Sequence, residues 1–188
     1  IRKHKRIIFN GDNYTAEWHK EAARRGLPNI RTTPDALKVL QDKSTIAMFE
    51  KYKVLSNREL ESRYEVYHHE YVKTVQIEAN CAVTIARTMI VPAATTYIRQ
   101  LGESLAGMKS AGLKTDNRAL LALLNDLAKL TEKALVQTIE LEKAAAGEAT
   151  SKMLDGMVAL RTSVDDLEAL VPNSLWPLPT YAEMLFMI

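Results

Sequence analysis

The sequence predicts a mainly α-helical protein in which short docked helices precede a long kinked helix that packs into an antiparallel three-helix bundle. Gly and Pro are scarce among the 188 residues, at 7 and 6, and the stretch 56–91 contains neither. Apolar residues in that stretch and in two later ones recur every three or four positions. This spacing keeps side chains on one face of a helix.

The first 55 residues predict short helices and connectors. Thr15, Thr33 and Ser44 are typical helix caps, and the first helix is expected to end at Gly26. Helices this short are not stable alone, so we expect them to dock on something larger. The basic run 2–6 is read more simply as a solvated helix end than as a polyanion site.

A helix that begins at Ser56 is the longest predicted element. Ser56 and Glu59 have the spacing of a capping box. Pro92 lacks a backbone donor, so a kink is expected near residues 88–91, with helix resuming to about Met108. The predicted core face of this helix, before and through the kink, consists of Leu60, Tyr64, Tyr67, Tyr71, Val75, Ala79, Ala82, Ala86 and Met89.

Two further long helices complete the predicted bundle. One follows Thr115 and runs to about residue 146, and the other spans about 150–170. The second shows a heptad pattern, in which Leu160 and Leu167 are predicted to be buried. Because short turns join the three long helices, neighbours must run antiparallel and share one core.

The last residues, 173–188, are predicted to form a docking segment. Thr180 caps a helical turn too short to persist without tertiary contact. Its large apolar side chains include the predicted docking residues Trp176, Leu178, Tyr181, Leu185 and Phe186. Two docking sites are considered: the short helices around Trp18 and Phe49, and a neighbouring subunit.

No catalytic, cofactor-binding or metal-ligating residue is predicted. Glu65 and His68 have the Glu-x-x-His spacing of di-iron bundles, but those sites need a second such pair and two more glutamates. Cys81 lies among Ala and Val, which favours a buried and inert thiol. Glycine-rich phosphate loops and nucleophile motifs are not found in the sequence.

Composition restricts the partners and the compartment. A net charge of +2 gives no argument for nucleic acid. The stretch 81–98 is apolar, but Arg87 and four threonines favour a buried helix over a membrane span. A single cysteine fits a reducing compartment, so a cytoplasmic location is expected. The chain begins at Ile1 without an initiator Met, and we expect it to be part of a longer protein.

Four stretches resemble the C-terminal part of type III glutamine synthetases: KHKRIIFNGDNYTAEW, EAARRGLPNIRTTPDAL, SRYEVYHHEYVKTVQIEA and LWPLPTYAEMLF. That family ligates ammonia to glutamate with ATP and Mg²⁺ or Mn²⁺, a reaction of nitrogen metabolism, in large stacked-ring homo-oligomers. Its metal-binding glutamates, ATP-site residues and glutamate-binding arginines belong to motifs upstream of this segment. The resemblance therefore implies a non-catalytic piece that holds no cofactor itself.

The stretch from Leu27 to Val75 is also similar in pattern to the closing segment of type I enzymes, where a short terminal segment follows almost at once. The resemblance implies that residues 1–55 end the catalytic body, 56–172 form the long-helix bundle, and 173–188 dock. Within the bundle, about 79–172 would be a type-specific insertion that serves oligomerisation. The alternative is a free-standing helical binding or sensor module.

Overall fold

The computed structural model describes residues 2–186, and for Tyr181 the backbone alone. The mainly α-helical fold is confirmed, and no β-strand occurs within 2–186. The chain divides into two units, Ile1–Tyr71 and Val72–Ile188. The α-helices are α1 (Ala16–Arg24), α2 (Thr33–Lys38), α3 (Lys43–Lys51), α4 (Asn57–Ile85), α5 (Val91–Ser110), α6 (Arg118–Ala146), α7 (Thr150–Glu168) and α8 (Tyr181–Leu185), with 3₁₀ helices at Arg2–Ile7 and Val39–Gln41.

The short helices of the first unit form where the sequence predicts them, with two caps displaced. Thr32, not Thr33, caps α2, because its hydroxyl accepts the backbone N–H of Asp35 at 3.4 Å. Helix α3 begins at Lys43, before Ser44. Within residues 2–55, Ala22 is the single buried side chain. This segment therefore has almost no core of its own.

The long helix begins at the predicted capping box. The Ser56 backbone N–H donates to Glu59 Oε2 at 2.7 Å, and the Glu59 N–H donates to Ser56 Oγ at 3.4 Å. Before Pro92 the helix adopts a π turn at Ala86–Ile90, in which the Val91 N–H donates to the Ala86 carbonyl, five residues back. At the position of the predicted kink the chain therefore forms a wider turn, and helix α5 follows it directly.

The predicted core face of the long helix is wrong at two positions. Tyr67 and Met89 are exposed at 43% and 37%. His68 occupies the inner position instead, and its ring stacks on Tyr64 with 5.7 Å between centroids. The inward-facing position after Tyr64 is therefore four residues later, not three. In the π turn Ile90 is buried in place of Met89, with 1% of its surface exposed.

Helix α6 packs most extensively against α7 and next against α5 and the π turn. The connections are short, 111–117 and 147–149, so successive helices run antiparallel. The prediction for α7 is confirmed, since Leu160 and Leu167 are 3% and 0% exposed. On α6 the buried positions follow a 4-3-4-3-4 heptad spacing: Leu127, Thr131, Ala134, Thr138, Leu141 and Ala145.

Candidate assembly surface

An apolar groove of about 410 Å³ runs along one side of the second unit. Its walls come from the end of α4, the π turn, α7 and the C-terminal segment. Ala82, Ile90, Leu160 and Val164 contribute apolar side chains to its lining. Residues of α4 and the π turn thus line the groove together with residues of α7, which packs against α6.

The predicted docking residues divide into two groups. Trp176 is 8% exposed and lines the groove together with Leu178. Leu185 and Phe186 are 73% and 70% exposed, and the Tyr181 side chain lies outside the described residues. The groove lies within the second unit, so Trp176 and Leu178 occupy neither of the two docking sites considered from the sequence. Their role as docking residues remains a prediction.

Helix α8 has a defined start, which orients its apolar residues. Thr180 Oγ1 accepts the Glu183 N–H at 3.2 Å, and Glu183 Oε2 accepts the Thr180 N–H at 2.7 Å. The backbone and hydroxyl donors of Thr180 lower the pKa of the Glu183 carboxyl. The predicted cap at Thr180 is therefore confirmed, as a complete capping box.

Polar contacts fix the helices around the groove. Arg87 of the π turn donates to both carboxylate oxygens of Glu142 on α6, at 2.8 and 2.7 Å. This pairing raises the pKa of Arg87 and lowers that of Glu142. At the α6–α7 turn, Lys73 pairs with Glu148, and Gln76 Nε2 donates to the Ala145 carbonyl at 2.7 Å. These contacts hold the π turn and the end of α6 in one arrangement.

Metal-ligating side chains are not gathered at one place among residues 2–186. In that range no group of three or more His, Cys, Asp and Glu side chains is placed to hold a metal ion. The predicted burial of Cys81 is wrong, because its thiol is exposed. Cys81 falls on the opposite side of α4 from Ala79 and Val83, which take up the buried face.

The continuous helical stretch Asn57–Ser110 is long and apolar enough to cross a membrane by length and composition. The core helix of a bundle passes the same test. Arg87 lies in its apolar part and is paired with Glu142, which ties this stretch to α6. The sequence expectation of a bundle helix agrees with that contact.

Residues 1–109 match the family model for the glutamine synthetase C-terminal domain. The chain is 34% identical over 197 residues to a glutamine synthetase of Butyrivibrio fibrisolvens, covering 97% of this chain and 28% of the relative. It is 31% identical to a type-3 glutamine synthetase of Dictyostelium discoideum, covering 98% of this chain and 27% of that protein. A Bacteroides fragilis glutamine synthetase is 33% identical, with 96% and 27% covered.

The chain thus spans a little over a quarter of the length of these relatives. The family match ends at residue 109, whereas the matches to the relatives take in nearly all of the chain, including α6 and α7. Together with the helical architecture, these similarities establish that the chain belongs to the glutamine synthetase C-terminal domain family.

Proposed function

We propose that this chain is the C-terminal helical region of a type III glutamine synthetase and that it serves assembly rather than catalysis. The complete enzyme would ligate ammonia to glutamate with ATP and Mg²⁺ or Mn²⁺, in the cytoplasm, as a homo-oligomer of stacked rings. Support comes from the relatives named glutamine synthetase, one of them type-3, of which this chain matches a little over a quarter.

The observation that carries the assembly role is the exposure of Leu185 and Phe186 beside the apolar groove. Met184 lines the groove, and the next two side chains are 73% and 70% exposed. Burying one such side chain contributes about 1.5–3 kcal/mol. In a two-fold contact between identical subunits, the apolar end of each subunit would cover the groove of the other.

The proposed assembly role also assigns a part to each segment of the chain. Residues 1–55 would complete the catalytic body, 79–172 would form a type-specific helical insertion, and 173–188 would dock on a neighbouring subunit. The insertion would project the groove and α8 to a position where another subunit covers them. Removing residues 79–172 from the complete enzyme should then lower the number of subunits per particle in light scattering, and an unchanged number would count against the proposal.

Two experiments on activity test the non-catalytic role. The purified 188-residue chain, incubated with glutamate, ammonia, ATP and Mg²⁺, should form no glutamine. Turnover that follows the purified chain would refute the proposal. The open reading frame should also carry the synthetase's metal and ATP motifs upstream. Their absence would favour the free-standing binding module instead.

The assembly role is tested in the complete enzyme by the double substitution Leu185→Asp and Phe186→Asp. We expect a smaller particle in light scattering, because two charges would enter an apolar contact. Ile77→Asp is the matched control, since Ile77 is 70% exposed on α4 and does not line the groove. An unchanged mass for the double variant, or an equal loss for Ile77→Asp, would contradict the proposed contact.

A further inference from the structure

The first unit exposes many of its large apolar side chains. Tyr14 is 95% exposed, Tyr52 is 68% exposed, and Ile7 and Val54 are each 61% exposed. Ala22 is the single buried side chain among residues 2–55. Folded chains rarely leave so much apolar surface to water unless another surface covers it. The segment therefore needs a covering partner.

One part of this surface is held in a fixed shape. The guanidinium of Arg25 donates to the carbonyls of Arg6 and Ile8 at 3.1 and 2.6 Å, and its Nε donates to Glu21 at 2.5 Å. Phe9 also packs on Trp18 with 4.7 Å between ring centroids. We call residues 2–8 the N-terminal strip. Its two bonded carbonyls flank Ile7, so the strip is fixed on the end of α1 while Ile7 remains exposed.

The charge of this region is strongly asymmetric. Residues 1–55 contain 12 Lys and Arg against 6 Asp and Glu, whereas residues 56–188 contain 13 against 17. The strip concentrates four of those cations, at Arg2, Lys3, Lys5 and Arg6. All four are exposed, and none forms an ion pair within the described residues. A complementary partner surface would place carboxylates opposite them.

From these observations we propose that the N-terminal strip docks on the polypeptide that precedes it in the same subunit, on an apolar surface bordered by carboxylates. This inference rests on the proposed function, in which the chain is the C-terminal region of a longer enzyme. The relatives have almost three quarters of their length outside the match, which is ample to supply the surface. A pre-shaped strip also loses less conformational entropy on docking.

Other partners fit these observations less well. A second copy of the strip would oppose four cations with four cations, and like charges in contact are unfavourable. A nucleic acid or another polyanion would account for the cations but would leave Ile7 and Ile8 uncovered. An apolar protein surface with acidic borders satisfies both the charge and the exposed side chains.

The test is a photo-crosslink in the complete enzyme, with p-benzoylphenylalanine in place of Ile7. Mass spectrometry of the digested product should identify a peptide from the preceding part of the polypeptide that contains Asp or Glu. Mixing isotope-labelled and unlabelled subunits tells whether the crosslink joins one subunit to itself. Crosslinks to a different subunit, or to residues 1–188 alone, would overturn the proposal.

The charge requirement is tested by Lys5→Glu combined with Arg6→Glu in the same crosslinking background. The yield should fall at least about fivefold, and raised salt should lower it in the parent protein. Lys129→Glu with Lys133→Glu on the exposed side of α6 is the matched control. An equal fall in the control, or no fall in the strip variant, would overturn the acidic partner. If these crosslinking tests failed, the proposed function would still stand on its own two tests. Those tests are the upstream motifs and the effect of the Leu185 and Phe186 substitutions on particle mass.

Discussion

Truncation of two leucines on α7 tests the bundle quantitatively. Removing a buried leucine to alanine costs about 2–5 kcal/mol, and the cost rises with the cavity that remains. Leu167 is fully buried and does not line the groove, so Leu167→Ala should lie in the upper half of that range. Leu160 borders the 410 Å³ groove, where the vacated space joins solvent. Leu160→Ala should therefore cost only about 2–3 kcal/mol.

The measurement is urea unfolding followed by tryptophan fluorescence. The chain has two tryptophans, Trp18 in the first unit and Trp176 in the second. In a Trp18→Phe background, fluorescence reports on the second unit alone, and the midpoint and slope give the free energy of unfolding. Lys152→Ala is the control, because Lys152 is an exposed residue of α7 and its truncation should change the stability by less than about 0.5 kcal/mol.

Two results would refute this reasoning. If Leu160→Ala shifts the midpoint no more than Lys152→Ala does, then α7 does not present the proposed face to the core. If Leu160→Ala costs more than Leu167→Ala, the space vacated at Leu160 does not join the solvent-filled groove.

Three other predictions concern single residues or residue pairs. Gly107→Ala on α5 should stabilise the chain by about 1 kcal/mol. Gly156→Ala should stabilise it less, because the new Cβ would lie 3.1 Å from Leu141 Cδ1 of α6. Thermal unfolding of the two variants compares these effects. Hydrogen bonds from two arginines lower the pKa of the Glu21 carboxyl to about 2. The stability that this carboxylate contributes is fully present above about pH 4.5 and should be lost as the pH falls toward 2. Carbon NMR titration measures the pKa of Glu21 directly, and an ordinary glutamate pKa would show that the pairing is absent. A double-mutant cycle on Arg87 and Glu142 should give a small favourable coupling, because water screens this exposed pair, and a coupling of zero would mean that the bidentate pair is not formed in solution.

Helix positions were predictable because local chemistry determines them. The capping boxes at Ser56 and Thr180 and the heptad of α7 depend on neighbours three or four residues away, which the sequence displays directly. The core of α6 was only partly predictable. Thr131 and Thr138 are buried because each hydroxyl donates to a carbonyl four residues back, at 2.7 Å, and an apolar pattern misses such residues.

The candidate surface was less predictable than the helices. The sequence indicated that the end of the chain docks, but its apolar residues look alike in composition. Which of them become buried depends on the groove between α4 and α7, elements separated by about seventy positions. Trp176 enters that groove, while Leu185 and Phe186 remain exposed. Long-range packing decides this difference, and no local pattern records it.

The π turn sets the rotational phase of everything that follows it. Such a turn accommodates one residue more than an α-helical turn, and each residue rotates a helix by about 100°. Ala94 and Leu101 follow the turn on α5 and are buried. Thr88 and Met89 are exposed, so the packing tolerates changes in their identity. Deletion of either residue would rotate the 20-residue helix α5 relative to α4. The number of residues in this stretch is therefore far more constrained than their identity.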